Sequence, residues 1–147
     1  MKIIVCIDKN NGMLFNNRRT SRDREVIKDI VNNYSDANIW VKEYSKELFE
    51  DYFDDNNLGS LEDNNIVVDE QYLLKIEDKD YCFIEDREII NYTDKVEKVI
   101  IYRWNRDYPA DVYYEFDNNQ FSLEETSEIK GYSHDIITKE IYVRKSV

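Results

Sequence analysis

Ile4-Val5-Cys6-Ile7-Asp8-Lys9-Asn10-Asn11-Gly12-Met13 begins as a β-branched apolar run, stops at a charge and passes into an Asn- and Gly-containing turn. A continuous apolar run of this kind reads as a strand buried on both faces, the pattern of a parallel sheet covered on two sides. Further strands are predicted from this one outward at Asn38–Val41, Asn65–Asp69, Tyr81–Ile84, Lys98–Trp104, Val112–Phe116, Phe121–Ile129 and Ile136–Arg144, with the first covering Lys2–Ile7. Between the first two, Thr20–Asn33 carries Val26, Ile27, Ile30 and Val31 at helical spacing, with Thr20 or Ser21 as the expected cap. Ser45–Phe53 repeats the pattern with a Ser cap and Leu48, Phe49 and Tyr52 on one side, and Arg87–Tyr92 is a short third helix. Strands alternating with helices predict parallel crossovers, and the all-strand last third predicts an antiparallel finish. Phe121–Ile129 and Ile136–Arg144 alternate apolar with polar residues, so they should pair as a long hairpin with one wet face.

With 147 residues and 41% hydrophobic content, the chain fits one compact domain, 1–147. No run approaches the roughly 18 apolar residues of a membrane span, and the first residues lack a signal-peptide pattern, so the expected location is the cytoplasm. Cys6 and Cys82 each lie in an apolar strand-like run, where a cysteine reads as a buried small hydrophobe. The formal charge of −12 is concentrated: residues 42 to 94 hold 17 Asp and Glu against 5 Lys and Arg. Direct nucleic-acid binding across that band is opposed by like charge, whereas docking onto a basic protein surface is assisted. The plainer reading is a solvated acidic face.

The order of elements resembles the dihydrofolate reductase fold. Residues 4–13 look like that family's first strand and the loop after it. Asn38-Ile39-Trp40-Val41 and the helix that follows are similar to the strand and helix where the family places a Gly-Arg-x-Thr cofactor motif. Ile84-Glu85-Asp86-Arg87-Glu88-Ile89-Ile90 falls where the family shows Ile-Gly-Gly-x-x-Ile-Tyr, and Val99-Ile100-Ile101-Tyr102 looks like the next strand. The resemblance implies an α/β fold with a mixed, mostly parallel sheet, flanking helices and a C-terminal antiparallel hairpin. It departs at the chemistry. A Gly-Gly pair lets backbone amides approach a pyrophosphate, whereas Glu85 and Asp86 fill that space and repel phosphate by an amount on the order of several kcal/mol. Lys42-Glu43 stands for Gly-Arg, and Arg18-Arg19-Thr20-Ser21 for the family's Leu-Pro-Trp substrate loop. Val26 takes the place of the pterin-binding acid, which Glu25 would fill only after a one-residue shift. The fold is therefore expected to be kept, the cofactor lost and the reductase activity gone.

A weaker likeness links the Arg18–Arg24 block and Gly131-Tyr132-Ser133-His134 to short uncharacterised Gram-positive proteins sometimes labelled ribonuclease Z. One histidine cannot supply that nuclease family's His-x-His-x-Asp-His metal site. His134, between Ser133 and Asp135, reads as a surface turn residue and serves as a general base only if a hydroxyl comes within reach. Asp54-Asp55-Asn56-Asn57-Leu58-Gly59 approaches a calcium loop without its alternation, so no metal is expected. Arg18, Arg19, Arg22 and Arg24 form either an anion grip or the pairing partner of the acidic middle, in the same molecule or a neighbour. Tyr102, Trp104, Tyr108, Tyr113, Tyr114 and Phe116 crowd one segment, as core or as interface anchors.

The leading expectation is a non-catalytic interaction module, an inhibitor of anti-restriction or anti-CRISPR type that mimics nucleic-acid charge. Its contact residues would be Glu43, Glu47, Glu50, Asp51, Asp54, Asp55, Glu62, Asp63, Glu85 and Asp86, and its partner a basic, nucleic-acid-binding protein. One alternative is a small-molecule or nucleotide-binding enzyme in a remodelled reductase-like pocket, using the arginines for an anion and Glu25 or His134 for proton transfer. The other is a structural homo-oligomer, with the arginines of one copy meeting the acidic band of the next.

Overall fold

The computed structural model describes residues 1–115, 117 and 119–146. Among these the elements are β1 (Lys2–Ile7), β2 (Gly12–Phe15), β3 (Arg18–Arg19), α1 (Arg24–Asn33), β4 (Ile39–Val41), α2 (Glu43–Asp55), β5 (Ile66–Val68), α3 (Tyr72–Lys75), β6 (Tyr81–Phe83), β7 (Lys98–Arg103), β8 (Val112–Tyr113), β9 (Phe121–Ile129) and β10 (Ile137–Arg144). Two 3₁₀ segments, Glu62–Asn64 and Glu88–Lys95, complete the order.

The main sheet runs β5-β4-β6-β1-β7-β10-β9. The first five strands are parallel, β10 is antiparallel to β7, and β9 closes the edge antiparallel to β10. β1 lies at the centre and is apolar on both faces, as period-2 geometry requires of a strand covered twice. Ile4 points into the core formed with α1 and α2, where Val26, Ile27, Ile30, Leu48, Phe49 and Phe53 pack. Ile3, Val5 and Ile7 point into the opposite core, with Tyr72, Leu73, Ile89 and Val96.

The strand expectations hold to within a residue or two, apart from Val112–Phe116, which pairs only through Tyr113; Phe116 lies outside the described residues. Three corrections concern caps and turns. The first helix starts at Arg24, not at Thr20, and Asp23 caps it by accepting from the Glu25 amide; neither Thr20 nor Ser21 does. The second starts at Glu43, two residues before Ser45, and has no side-chain cap because Lys42 at the cap position carries no acceptor; the Ser45 hydroxyl, inside the helix, donates to Glu85. The third is not α-helical: Glu88–Lys95 is 3₁₀ with a kink at Tyr92.

The β2–β3 hairpin was not anticipated, although its signal is present. Leu14 and Phe15 pair with Arg19 and Arg18 across a two-residue turn in which Asn16 and Asn17 both have positive φ, 50° and 62°. That is the mirror-image turn that twists with the strands, and asparagine is among the residues that adopt it most cheaply. The same small sheet is completed by β8.

Phe49 is fully buried, edge-on to Phe83 at 5.5 Å, and ties α2 to β6. Phe49→Ala should cost about 3–5 kcal/mol in chemical denaturation, a cavity penalty that Phe49→Leu largely avoids.

Candidate functional site

The chain order places β4 and β6 on one side of β1 and β7 on the other, so connections leave the C-terminal ends of the parallel strands in opposite directions. An open α/β sheet binds ligands in the crevice at such a point. A cavity of about 310 Å³ opens there, floored by Cys6 at the end of β1, Phe83 at the end of β6 and Trp104 just after β7. Its walls are Val26 and Ile27 of α1 and Leu48 and Tyr52 of α2, and Ser21, Arg22, Asp23 and Arg24 form one rim.

Asp23 organises that rim. Its side chain is fully buried and accepts from the amides of Glu25, Tyr132, Ser133 and His134 at 2.9, 2.9, 2.9 and 3.2 Å, and it lies 2.9 Å from His134 Nδ1. Burial alone would raise this carboxyl. The hydrogen bonds from His134 and from the Tyr132, Glu25 and Ser133 amides outweigh it and hold the group at about 2. Gly131 makes the approach possible, since a Cβ there would lie 2.4 Å from the His134 carbonyl and 2.8 Å from Asp23 Oδ2.

His134 is therefore not a surface turn residue. It is 3% exposed, its ring is stacked on Trp104 at 4.7 Å, and its turn is pulled inward by the Asp23 hydrogen bonds. Because Asp23 is ionised and can only accept, Nδ1 carries the proton and Nε2 is left as an acceptor in the neutral ring. Ser21 Oγ lies 2.9 Å from Nε2 and the Tyr108 hydroxyl 3.1 Å from it. Tyr108 is fixed in turn by Asp8, a buried carboxylate that accepts from the Asn10, Gly12 and Tyr108 amides.

The arginines do not act together. Arg19 reaches from β3 across the crevice to Glu85 in a two-pronged pair, Nε to Oε2 at 2.9 Å and Nη2 to Oε1 at 3.1 Å, and also meets Glu47 at 3.3 Å. Burial opposes its charge, but the Glu85 hydrogen bonds win and hold the guanidinium above its ordinary value. Arg22 meets Asp51 at 3.1 Å in an exposed pair. Arg24 has no carboxylate partner among the described residues and stacks on the Tyr132 ring at 3.6 Å. Arg18 is exposed on a separate surface beside Phe15 and Pro109.

Most of the predicted acidic contact residues are likewise engaged within the molecule. Glu43 and Glu50 flank Lys46, and Asp86 and Glu88 both meet Lys42. Asp63 accepts from the Ser60 amide. Asp54, Asp55 and Glu62 have no cation within bridging distance among the described residues. Glu25 lies 4.0 Å from Lys28 and lines the cavity beside Val26. Cys6 and Cys82 are free thiols; burial, with Glu85 adding to it, pushes Cys6 well above its ordinary value, and burial pushes Cys82 up to about 12. Among the described residues no cluster of three His, Cys, Asp or Glu is placed to hold a metal ion, and no helix is long and apolar enough to cross a membrane.

The chain has the dihydrofolate reductase fold. A solved dihydrofolate reductase from Enterococcus faecalis, complexed with NADP(H) and RAB-propyl, superposes with a TM-score of 0.65 over 99% of this chain and 96% of that one, at 10% sequence identity. No family model matches the chain, and no curated protein matches it.

Sequence reasoning missed Asp23, Ser21 and Tyr108 as site residues. Asp directly before a helical stripe is itself a cap signal. Nothing local announces that a turn 111 positions away docks on the same carboxylate.

The folded Asp23 carboxyl lies at about 2 against an ordinary 3.8, so its contribution to stability is full above about pH 4 and is lost as pH falls towards 2. Asp23→Ala should destabilise the protein by about 2–4 kcal/mol at pH 7, by stranding buried donors, and its stability should converge on that of the wild type between pH 4 and pH 2.

Proposed function

We propose that this protein binds a small molecule with an apolar body and an anionic end in the crevice, and that it is not a nicotinamide-dependent reductase. The observation that carries the reading is the Arg19–Glu85 charge pair in the wall of an open cavity. Glu85 accepts from Arg19 and from Ser45 Oγ at 2.7 Å, so a charge-paired carboxylate occupies the position that the family resemblance gives to glycine. A dinucleotide's phosphates would have to break this pair and then face the freed carboxylate. The 310 Å³ cavity that this pair borders is of the size that holds a small ligand. Arg24 at its rim, beside the positive end of the α1 dipole, supports the anionic preference.

Benzoate, phenyl phosphate and hexanoate are suitable probes, read by the indole resonance of Trp104 and by thermal shift. At least one should shift that resonance saturably and raise the melting temperature; a ligand at a hundredfold excess over its Kd adds about 2.7 kcal/mol. NADPH should do neither. Saturable NADPH binding, or silence of Trp104 towards all three probes, would overturn the reading.

A second reading, docking of a basic partner on the acidic band, is supported by the end of α2. Asp54 and Asp55 lie in its last turn, no basic residue shares that turn, and Glu62 follows in the next segment. Negative side chains at the negative end of a helix dipole are destabilising by about 0.3–1 kcal/mol each, and a cationic partner would relieve the strain. The double variant Asp54→Asn, Asp55→Asn should therefore raise the stability of the free protein while weakening its salt-dependent retention on polylysine. Lower stability with unchanged retention would count against docking at this end. The oligomer reading has less support, because Arg19 and Arg22 meet their carboxylates within one molecule.

A further inference from the structure

We infer that Ser21, His134 and Asp23 form a nucleophile relay at the cavity, and that the ligand class is a small anionic carboxylic ester or thioester that the protein cleaves through an acyl-serine. This rests on the reading of the crevice as a small-molecule site and names its chemistry. The geometry has the three links such a relay needs: a hydroxyl 2.9 Å from Nε2, a buried carboxylate 2.9 Å from Nδ1, and a ring orientation fixed from outside. Orientation comes from Trp104, stacked on one face of the ring, and from Tyr108, whose hydroxyl also meets Nε2. Ser21 lines the cavity, whereas His134 is buried behind it. The hydroxyl that would attack is thus the member of the relay that a ligand can reach.

The residues also divide the work in a way a structural cluster would not require. Asp23 already has four backbone amides, so His134 is not needed to satisfy it. The Ser21 and Arg22 amides, which donate to no acceptor among the described residues, would serve the relay as oxyanion donors. Arg24, stacked on Tyr132 and without a carboxylate partner among the described residues, would meet the substrate's anionic end.

The steps balance without a metal or redox partner. Ser21 Oγ bonds to the acyl carbon as its proton passes to Nε2. The bond from the acyl carbon to the leaving oxygen or sulfur then breaks, and Nε2 returns the proton to that leaving group. Water next attacks the acyl-serine, giving its proton to Nε2, and the serine leaves with that proton as the carboxylic acid is released. Asp23 is a positioning residue, holding the proton on Nδ1 and stabilising the imidazolium between steps.

An alkyl fluorophosphonate tests the relay, because attack on phosphorus expels fluoride and leaves a stable adduct that peptide mass spectrometry can locate. The full chain should be labelled at Ser21, and Ser21→Ala and His134→Gln should lower the labelling rate by about 100-fold or more. In Asp23→Asn the maximal rate should fall while the half-saturating concentration stays unchanged, a split that general loosening of the fold would not produce. Hexanoate binding, read at Trp104, is measured in parallel on the same preparations. If hexanoate binds but Ser21 is not labelled, or if Ser21→Ala leaves the rate unchanged, the relay is overturned and the pocket stands. If benzoate, phenyl phosphate and hexanoate all fail to bind and no serine is labelled, both fall.

Discussion

The carboxylate of Asp23 caps α1 through the Glu25 amide and at the same time gathers the Tyr132, Ser133 and His134 amides of a turn from the far end of the chain. A buried carboxylate without such partners would cost several kcal/mol, and the four amides would be similarly costly without an acceptor. Each side of the contact therefore requires the other. The turn before β10 is held against the start of α1, and the His134 ring is delivered to the C-terminal edge of the sheet with its Nδ1 proton already assigned. Gly131 is the steric condition for this arrangement.

The rest of the site follows from the topology of the sheet. Reversal of the connections around β1 leaves a crevice that no helix covers, and the side chains at its mouth decide what it accepts. Arg19, Glu85 and Ser45 place a charge pair in its wall, with both charged side chains little exposed, at 13% and 11%. Side chains of β1, β6, α1 and α2 supply the apolar lining of the same cavity. The architecture is thus held by its core, while the polar residues at the rim differ in chemistry from it, in keeping with function residing in sites and not in folds.

Much of the high negative charge has a local explanation. Lys42 holds Asp86 and Glu88, Lys46 lies between Glu43 and Glu50, and Arg19 and Arg22 hold Glu85, Glu47 and Asp51. The exposed pairs among these contribute little to stability, about 0–1 kcal/mol each, and all of them reduce the field that a partner would meet. Of the expected contact residues, Asp54, Asp55, Glu62 and Asp63 have no cation within bridging distance among the described residues; they lie at the end of α2 and in the segment after it, and Asp55 also lines the cavity.

The sequence alone determined the sheet. Apolar runs such as Lys2–Ile7 and Lys98–Arg103, and the helical stripe of Val26, Ile27 and Ile30, carry their period in neighbouring residues, because burial of a strand or helix face is a local pattern. The order of those runs was enough to indicate a dihydrofolate reductase-like layout. Local punctuation was less legible: hydroxyl caps were assigned to Thr20, Ser21 and Ser45, but Asp23 took the first role and Glu85 captured Ser45. The site itself was decided only by the tertiary structure. His134 reads as a turn residue because every neighbour in sequence is small or polar, and what buries it is Trp104, Tyr108 and Asp23, which the chain brings from 26 to 111 positions away. A hydrogen bond depends on distance in space and leaves no periodic mark in sequence, so the meeting of Ser21, Asp23 and His134 appears only when the sheet is folded.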